Sequence, residues 1–205
     1  MSPRAESMAL KGEQTRKTVL DTAIELFGEK GYGGCSLSQI AKQAGIVQSA
    51  VYHHFGTKDN LLTEALESHY PRSATRADIQ AIHRGETTFS EEIVRVTVSN
   101  AADPHLVKFF SVMIGESLTE AHPAADFFRE RYSAVTSGMT DAIAHARGIA
   151  DATKIKEIEL LVRSTFGGMD GLQMQWLRDP GVDLVGGVRL LARMAEAEIE
   201  RIATS

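Results

Sequence analysis

The sequence predicts an all-α protein of about nine helices. Apolar residues return at the three- and four-residue spacing of helices along most of the chain, and the Val/Ile/Thr alternation typical of strands is scarce. Only five of the 205 residues are proline, so few positions interrupt a helix. With 43% hydrophobic residues, a chain of this length can form one generous domain or two small ones with apolar cores.

Three helices are predicted in the N-terminal quarter of the chain. A segment over roughly 12–30 carries one apolar stripe and is followed by Gly31, where a C-terminal cap is expected. Ser36 and Gln39 fit a capping box at the start of a short second helix. A third helix of about two turns follows over roughly 48–55.

The remaining helices are separated by turn signals. A fourth helix begins after Thr57, which can cap it, and must stop or kink near Tyr70 because Pro71 lacks an amide donor. About five more follow, and the last two, over roughly 154–178 and 183–203, are richest in residues of the buried type. We therefore divide the chain into a tail, a head and a helical domain, at 1–11, 12–56 and 57–205, with 57–70 as a connecting helix.

Composition excludes several classes of protein. One cysteine, Cys35, cannot form an internal disulfide, which favours a reducing cytoplasm. No stretch approaches the roughly 18 apolar residues of a membrane span. The net charge of -5 confines any nucleic-acid binding to a local patch. The N-terminal arm is basic through Arg4, Lys11, Arg16 and Lys17, and it could approach the backbone or minor groove of DNA. Residues 1–11 could equally be a solvated flexible tail.

Residues 37–55 have the geometry of a helix-turn-helix, in which two short helices are joined by a tight turn at 45–47. Ala50, Val51 and Phe55 would pack on the preceding helix. The other side chains of the second helix point partly outward: Gln48, Ser49, Tyr52, His53 and His54. Gln and Ser can read base edges, whereas the Tyr hydroxyl and the His imidazole suit phosphate oxygens. This pattern predicts a helix that enters the major groove.

The run GYGGCSLSQIAKQAGIVQSAVYHHFGTKDNLL resembles the DNA-binding signature of the TetR family of transcriptional repressors, and the likeness extends over about 15–66. Two positions depart from the family pattern: Val47 replaces a usual Ser or Thr helix cap, and Cys35 replaces a common Thr. The resemblance implies that three residues face the operator and three hold phosphates. These are, respectively, Gln48, Ser49 and Tyr52, and Ser36, His53 and Lys58.

The same resemblance implies that the C-terminal domain holds a small-molecule inducer and forms a homodimer through its last two helices. Such a dimer would place its recognition helices ~34 Å apart on a near-palindromic operator. Two polar residues, Asp170 and Gln173, lie among apolar neighbours and are candidates for orienting the inducer. Phe110, Met113 and Phe166 are apolar candidates for the same site, or residues of the core.

Other functions lack a motif. His53 and His54 point about 100° apart on a helix and have no third ligand nearby, so no metal is expected. No phosphate-loop G-K-[ST] follows Gly31, and neither E-x-x-H nor G-x-S-x-G occurs, so no cofactor or catalysis is predicted. A helical small-molecule carrier with a weakened helix-turn-helix stays open, because of Val47 and because residues 1–70 contain seven Lys/Arg against eight Asp/Glu. A redox role for Cys35 also stays open.

Overall fold

The computed structural model describes residues 3–70, 78–119 and 121–205, and these form ten α-helices and no strand. The all-α prediction is confirmed, with one helix more than the about nine expected; Pro71 lies outside the described residues. The helices are α1 (Pro3–Lys30), α2 (Leu37–Gln43), α3 (Gln48–Phe55), α4 (Lys58–His69), α5 (Ile79–His83), α6 (Phe89–Ala101), α7 (Pro104–Glu116), α8 (Ala125–Ala146), α9 (Ala152–Arg178) and α10 (Leu184–Thr204).

Helix α1 is longer than its apolar stripe predicts. It begins at Pro3, so residues 3–11, which were expected to form a flexible tail, are helical. Proline is tolerated in a first turn because the amides there have no partner within the helix. The side chain of Arg4 lies outside the described residues. The helix ends at Lys30, and Gly31 follows with a φ of 73°, the left-handed conformation expected of a capping glycine.

The chain divides into two compact units, and the first contains α1 to α4 together with residues 108–127. The head predicted from the sequence lies within this unit. Helix α7 approaches α1 closely, because a Cβ at Gly28 would lie 3.1 Å from the backbone nitrogen of Phe109. The rings of Phe27 and Phe109 stack there, with centroids 6.4 Å apart. Buried residues of this unit include Val19, Ala23, Phe27, Ile40, Val51, Leu61, Leu62, Phe109 and Met113.

The second unit contains residues 70–107 and 128–205, and its core lies between α6, α8, α9 and α10. Helix α10 packs on α6, where the hydroxyl of Ser90 donates to the carbonyl of Ala192 over 2.8 Å. It also packs on α9, where Leu191 lies against Gly168. Aspartates cap both long helices, Asp151 at α9 and Asp183 at α10. The core includes Ile82, Phe89, Ile93, Met139, Ile143, Ile158, Val162, Val188 and Ile199.

Among the described helices, none combines the length and the apolar composition that crossing a bilayer would require.

Candidate DNA-binding site

Helix α3 presents a polar surface, as its sequence predicts. Gln48, Ser49, Tyr52 and His53 are all exposed. The apolar side of the same helix is held in the head by residues that include the fully buried Val51. An exposed two-turn helix with hydrogen-bonding side chains on one face has the form required to enter a major groove.

Ser36 lies at the start of α2, exposed at its N-cap position. Its hydroxyl accepts a hydrogen bond from the backbone N–H of Gln39 over 3.3 Å, and its own N–H donates to Oε1 of Gln39 over 2.8 Å. The predicted capping box is therefore present. The hydroxyl also donates to Oε1 of Gln39 over 3.3 Å, so the side chain is engaged within the capping box while it stays exposed to solvent.

Helix α3 begins without a side-chain cap. Val47 has the extended backbone of an N-cap residue, but it supplies no acceptor to the amides of the first turn. Its side chain is 69% exposed. The departure from the expected Ser or Thr at this position therefore leaves the N-terminus of the recognition helix to be solvated by water or to be covered by another molecule.

The ammonium of Lys58 is engaged by groups of the protein. Its Nζ donates to the carbonyl oxygens of Tyr32, at 3.0 Å, and Cys35, at 3.1 Å. It also lies 4.0 Å from the centroid of the Tyr32 ring. An ammonium has three hydrogens, and two of them are committed to the turn between α1 and α2. Lys58 therefore holds this turn with two of its three donors.

Cys35 is buried in the same turn, where its thiol faces the carbonyl oxygen of Gly31 at 3.7 Å. Burial raises the pKa of this thiol, and the nearby Lys58 charge opposes that rise. A buried thiol of raised pKa is a poor nucleophile, which favours packing as the role of Cys35.

The polar residues predicted to orient a ligand lie in the second unit. Asp170 accepts a hydrogen bond of 2.5 Å from the hydroxyl of Tyr132. Burial raises the pKa of the Asp170 carboxyl. The hydrogen bond from Tyr132 and the charge of Arg131 both lower this pKa and so oppose the rise. Gln173, on the same helix, is only 3% exposed.

The apolar ligand candidates are divided between the two units. Phe166 belongs to the second unit, where its ring lies edge-on to Phe89 with centroids 6.2 Å apart. Phe110 and Met113 belong to the first unit, and Met113 is fully buried there. No group of three His, Cys, Asp or Glu side chains in the described ranges is arranged to hold a metal ion.

Sequence reasoning missed two tyrosines. Tyr132 pairs with Asp170 across 38 positions, and Tyr32 is contacted by Glu116 across 84 positions. No local pattern predicts either contact, since both depend on how helices pack.

Comparisons with known proteins agree on the head. Residues 19–65 match the family model described as "Bacterial regulatory proteins, tetR family". The chain is 31% identical over 119 residues to TtgW, an uncharacterized HTH-type transcriptional regulator of Pseudomonas putida, covering 57% of this chain and 85% of that protein. It is 32% identical over 119 residues to the HTH-type transcriptional regulator SrpR, also of Pseudomonas putida, and spans about half of that relative, 54%.

A solved structure extends the likeness to both units. The SmeT–triclosan complex matches with a TM-score of 0.71 over 90% of this chain and 91% of that one, at 21% identity. SmeT is the repressor of the Stenotrophomonas maltophilia multidrug efflux pump SmeDEF. At this level of identity the match shows a shared fold.

Proposed function

Since the chain belongs to the TetR family of bacterial regulatory proteins, we propose that it is a sequence-specific DNA-binding regulator, a homodimeric repressor that a small molecule releases from a near-palindromic operator in the cytoplasm. The observation that carries this proposal is the exposed polar face of α3 in a two-helix arrangement with α2. An α-helix of this kind reads sequence only from the major groove, where base edges are distinguishable.

The proposed DNA contacts are of two kinds: some side chains read base edges, and others bind phosphates and position the head on the duplex. Gln48 and Ser49, at the N-terminal end of α3, contact base edges, because the first turn of a recognition helix points into the groove. Tyr52, one turn later, also faces the operator. Ser36 and His53 donate to phosphates, which fix the register of the head on the duplex. Lys58 adds its remaining donor to this set.

The dimer forms through α9 and α10. Leu160 and Met174 are exposed on α9 almost four turns apart, and therefore lie on one face. Leu190 and Met194 are exposed one turn apart on α10. Apolar side chains exposed along two adjacent helices are typical of a four-helix interface between protomers, which would remove them from water.

The ligand is an apolar or amphipathic molecule oriented by Asp170 and Gln173. Phe166, which belongs to the same unit as these two residues, lines the same site. The burial of Gln173 in the second unit supports this assignment, since a buried amide that bonds a ligand fixes the orientation of that ligand. The fold shared with SmeT, a repressor solved with triclosan, supports a small-molecule site in this domain. Ligand and DNA then weaken each other's binding by the same factor.

Fluorescence anisotropy of the full chain on fragments of its own promoter region tests the proposal, across a salt series with nonspecific competitor DNA. Tight, competitor-resistant binding to one near-palindrome with a steep salt slope is expected. Gln48→Ala should relax the preference for that fragment at one base pair. Gln43→Ala is the matched control, because this exposed amide donates to Glu25 within the head. Weak binding to every fragment by a folded dimer would instead favour a small-molecule carrier.

A further inference from the structure

Tyr32, in the turn between α1 and α2, is held from three directions inside the first unit. The residues that hold it are Lys58 and Asp59 at the start of α4, Glu116 at the end of α7, and His122. We name these four residues and Tyr32 the Tyr32 clasp. The turn leads directly to Ser36, the N-cap of α2, so its conformation sets where the helix-turn-helix begins.

The contact from α7 is made to the backbone of the turn. A carboxylate oxygen of Glu116 accepts a hydrogen bond of 2.8 Å from the N–H of Tyr32. The other oxygen fills the space beside Gly31, where a Cβ would lie 2.0 Å from it. Gly31 is required by its positive φ, and the flexible end of the Glu116 side chain occupies the space beside it.

The contacts from α4 hold the other side of the same residue. Lys58 bonds the carbonyl oxygen of Tyr32, as described above, and Asp59 accepts a hydrogen bond from the Tyr32 hydroxyl. Burial and the neighbouring Asp59 raise the pKa of Tyr32, which keeps its hydroxyl protonated as a donor. The N–H, carbonyl and hydroxyl of one residue are therefore each engaged by a charged side chain.

His122 contacts both Tyr32 and Glu116. Its side chain is only 8% exposed, and its ring lies edge-on to Tyr32 with centroids 5.3 Å apart. Nδ1 accepts from the N–H of Ala124 over 3.2 Å, which places the proton of a neutral ring on Nε2. That Nε2 lies 3.5 Å from a carboxylate oxygen of Glu116, so the imidazole faces the same carboxylate as the Tyr32 amide.

We propose that Glu116 is a positioning residue for DNA binding, which fixes the turn before α2 and thereby the orientation of the recognition helix. This rests on the proposed function. Glu116 is the last residue of α7, and residues 108–116 of this helix belong to the first unit, so the contact lies within the unit that contains α2 and α3.

The test compares Glu116→Ala with Glu116→Gln in the full chain. Alanine removes the acceptor, so the Tyr32 amide should exchange with solvent about tenfold faster, and affinity for the promoter fragment should fall by about the same factor. The amide chemical shifts of Ser36 and Gln48 should change as well. Glutamine retains an acceptor and should restore all three readouts. Glu29→Ala is the matched control, an exposed glutamate near the same turn.

The proposal is overturned if Glu116→Ala speeds exchange at Tyr32 while the Ser36 and Gln48 shifts and the DNA affinity stay unchanged. If the wild-type chain binds no DNA, the proposed function fails, yet the amide shifts still decide whether Glu116 positions α2 and α3. Should Glu116→Ala not fold, Glu116→Asp replaces it, because a carboxylate one methylene shorter draws back from the Tyr32 amide. An intermediate exchange rate with shifted Ser36 and Gln48 resonances is then expected, and wild-type values would contradict the proposal.

Discussion

The hydroxyl of Tyr132 lies 2.5 Å from Oδ2 of Asp170, which joins α8 to α9 inside the second unit. Burial raises the pKa of the Asp170 carboxyl, and the hydrogen bond and the Arg131 charge reduce this rise without cancelling it. Burial and Asp170 also raise the pKa of Tyr132, so its hydroxyl stays a donor at neutral pH. The fold therefore favours a protonated Asp170, and its ionised form costs stability.

Asp170→Asn should stabilise the chain at neutral pH. A carboxyl whose pKa is raised on folding contributes stability below its unfolded pKa, near 3.8, and loses it as pH rises through the folded pKa. The amide removes this loss while still accepting from Tyr132. We expect a gain of about 1 kcal/mol in the free energy of unfolding at pH 7.5, which shrinks as the pH falls to 3.8. Urea unfolding at both values measures it.

Asp141→Asn is the matched control for this comparison, because Asp141 is exposed on α8. It should change stability little at either pH. If Asp170→Asn were less stable than wild type by the same amount at both pH values, the conclusion that the ionised Asp170 carboxylate costs stability would be wrong.

Val47→Ser should stabilise the head. Val47 already has N-cap backbone angles, and a serine hydroxyl there can accept from the free amides of the first turn of α3. The expected gain is about 1 kcal/mol, measured by urea unfolding. Val98→Ser, at an exposed position inside α6, offers no cap and should give no gain. Equal effects of the two substitutions would show that capping is not limiting at α3.

Lys58→Ala should destabilise the first unit, because two carbonyl oxygens of the turn lose their charged donor. A loss of about 1.5–3 kcal/mol is expected, the range for hydrogen bonds to a charged group. Lys42→Ala, which removes an exposed lysine of α2, should cost much less. Circular dichroism during urea unfolding measures both. The salt slope of DNA binding then tests the proposed phosphate contact separately, since its loss lowers the slope by about one.

Gln48→Ala and Tyr52→Phe should affect DNA binding in different ways. Loss of a base-reading amide relaxes preference at one base pair, worth about 1–3 kcal/mol of discrimination. Loss of the Tyr52 hydroxyl should weaken binding to all fragments by a similar factor, because Tyr hydroxyls suit phosphates. Anisotropy on promoter fragments with single base changes separates the two. The reverse assignment follows if Tyr52→Phe alters preference and Gln48→Ala does not.

The sequence was sufficient for the helix-turn-helix because its signals are local. The capping box at Ser36 and the two-turn length of α3 each depend on residues within one or two turns. The extent of α1 was not predicted, since residues 3–11 lack an apolar stripe. They continue the helix because Ala, Glu, Met, Leu and Lys favour it without packing.

The candidate site could be predicted only as far as its exposed face. Lys58 carries a charge at a position typical of a phosphate contact, and no sequence pattern shows that carbonyls of a turn 23 to 26 residues away engage it. The contact between Glu116 and Tyr32 joins residues 84 positions apart, and it forms only because α7 ends beside the turn that contains Tyr32. Long-range packing decides these contacts, and local periodicity carries no information about it.

Met194→Glu should convert the protein from a dimer to a monomer. Met194 is 61% exposed on α10 near Leu190, and in the proposed interface a carboxylate there would be buried without a partner. Sedimentation velocity at micromolar concentration measures the change, and circular dichroism should report an intact helical fold. Leu118→Glu is the control, because Leu118 is 86% exposed and belongs to the first unit, whereas α9 and α10 belong to the second. A Met194→Glu dimer as stable as wild type would place the interface elsewhere.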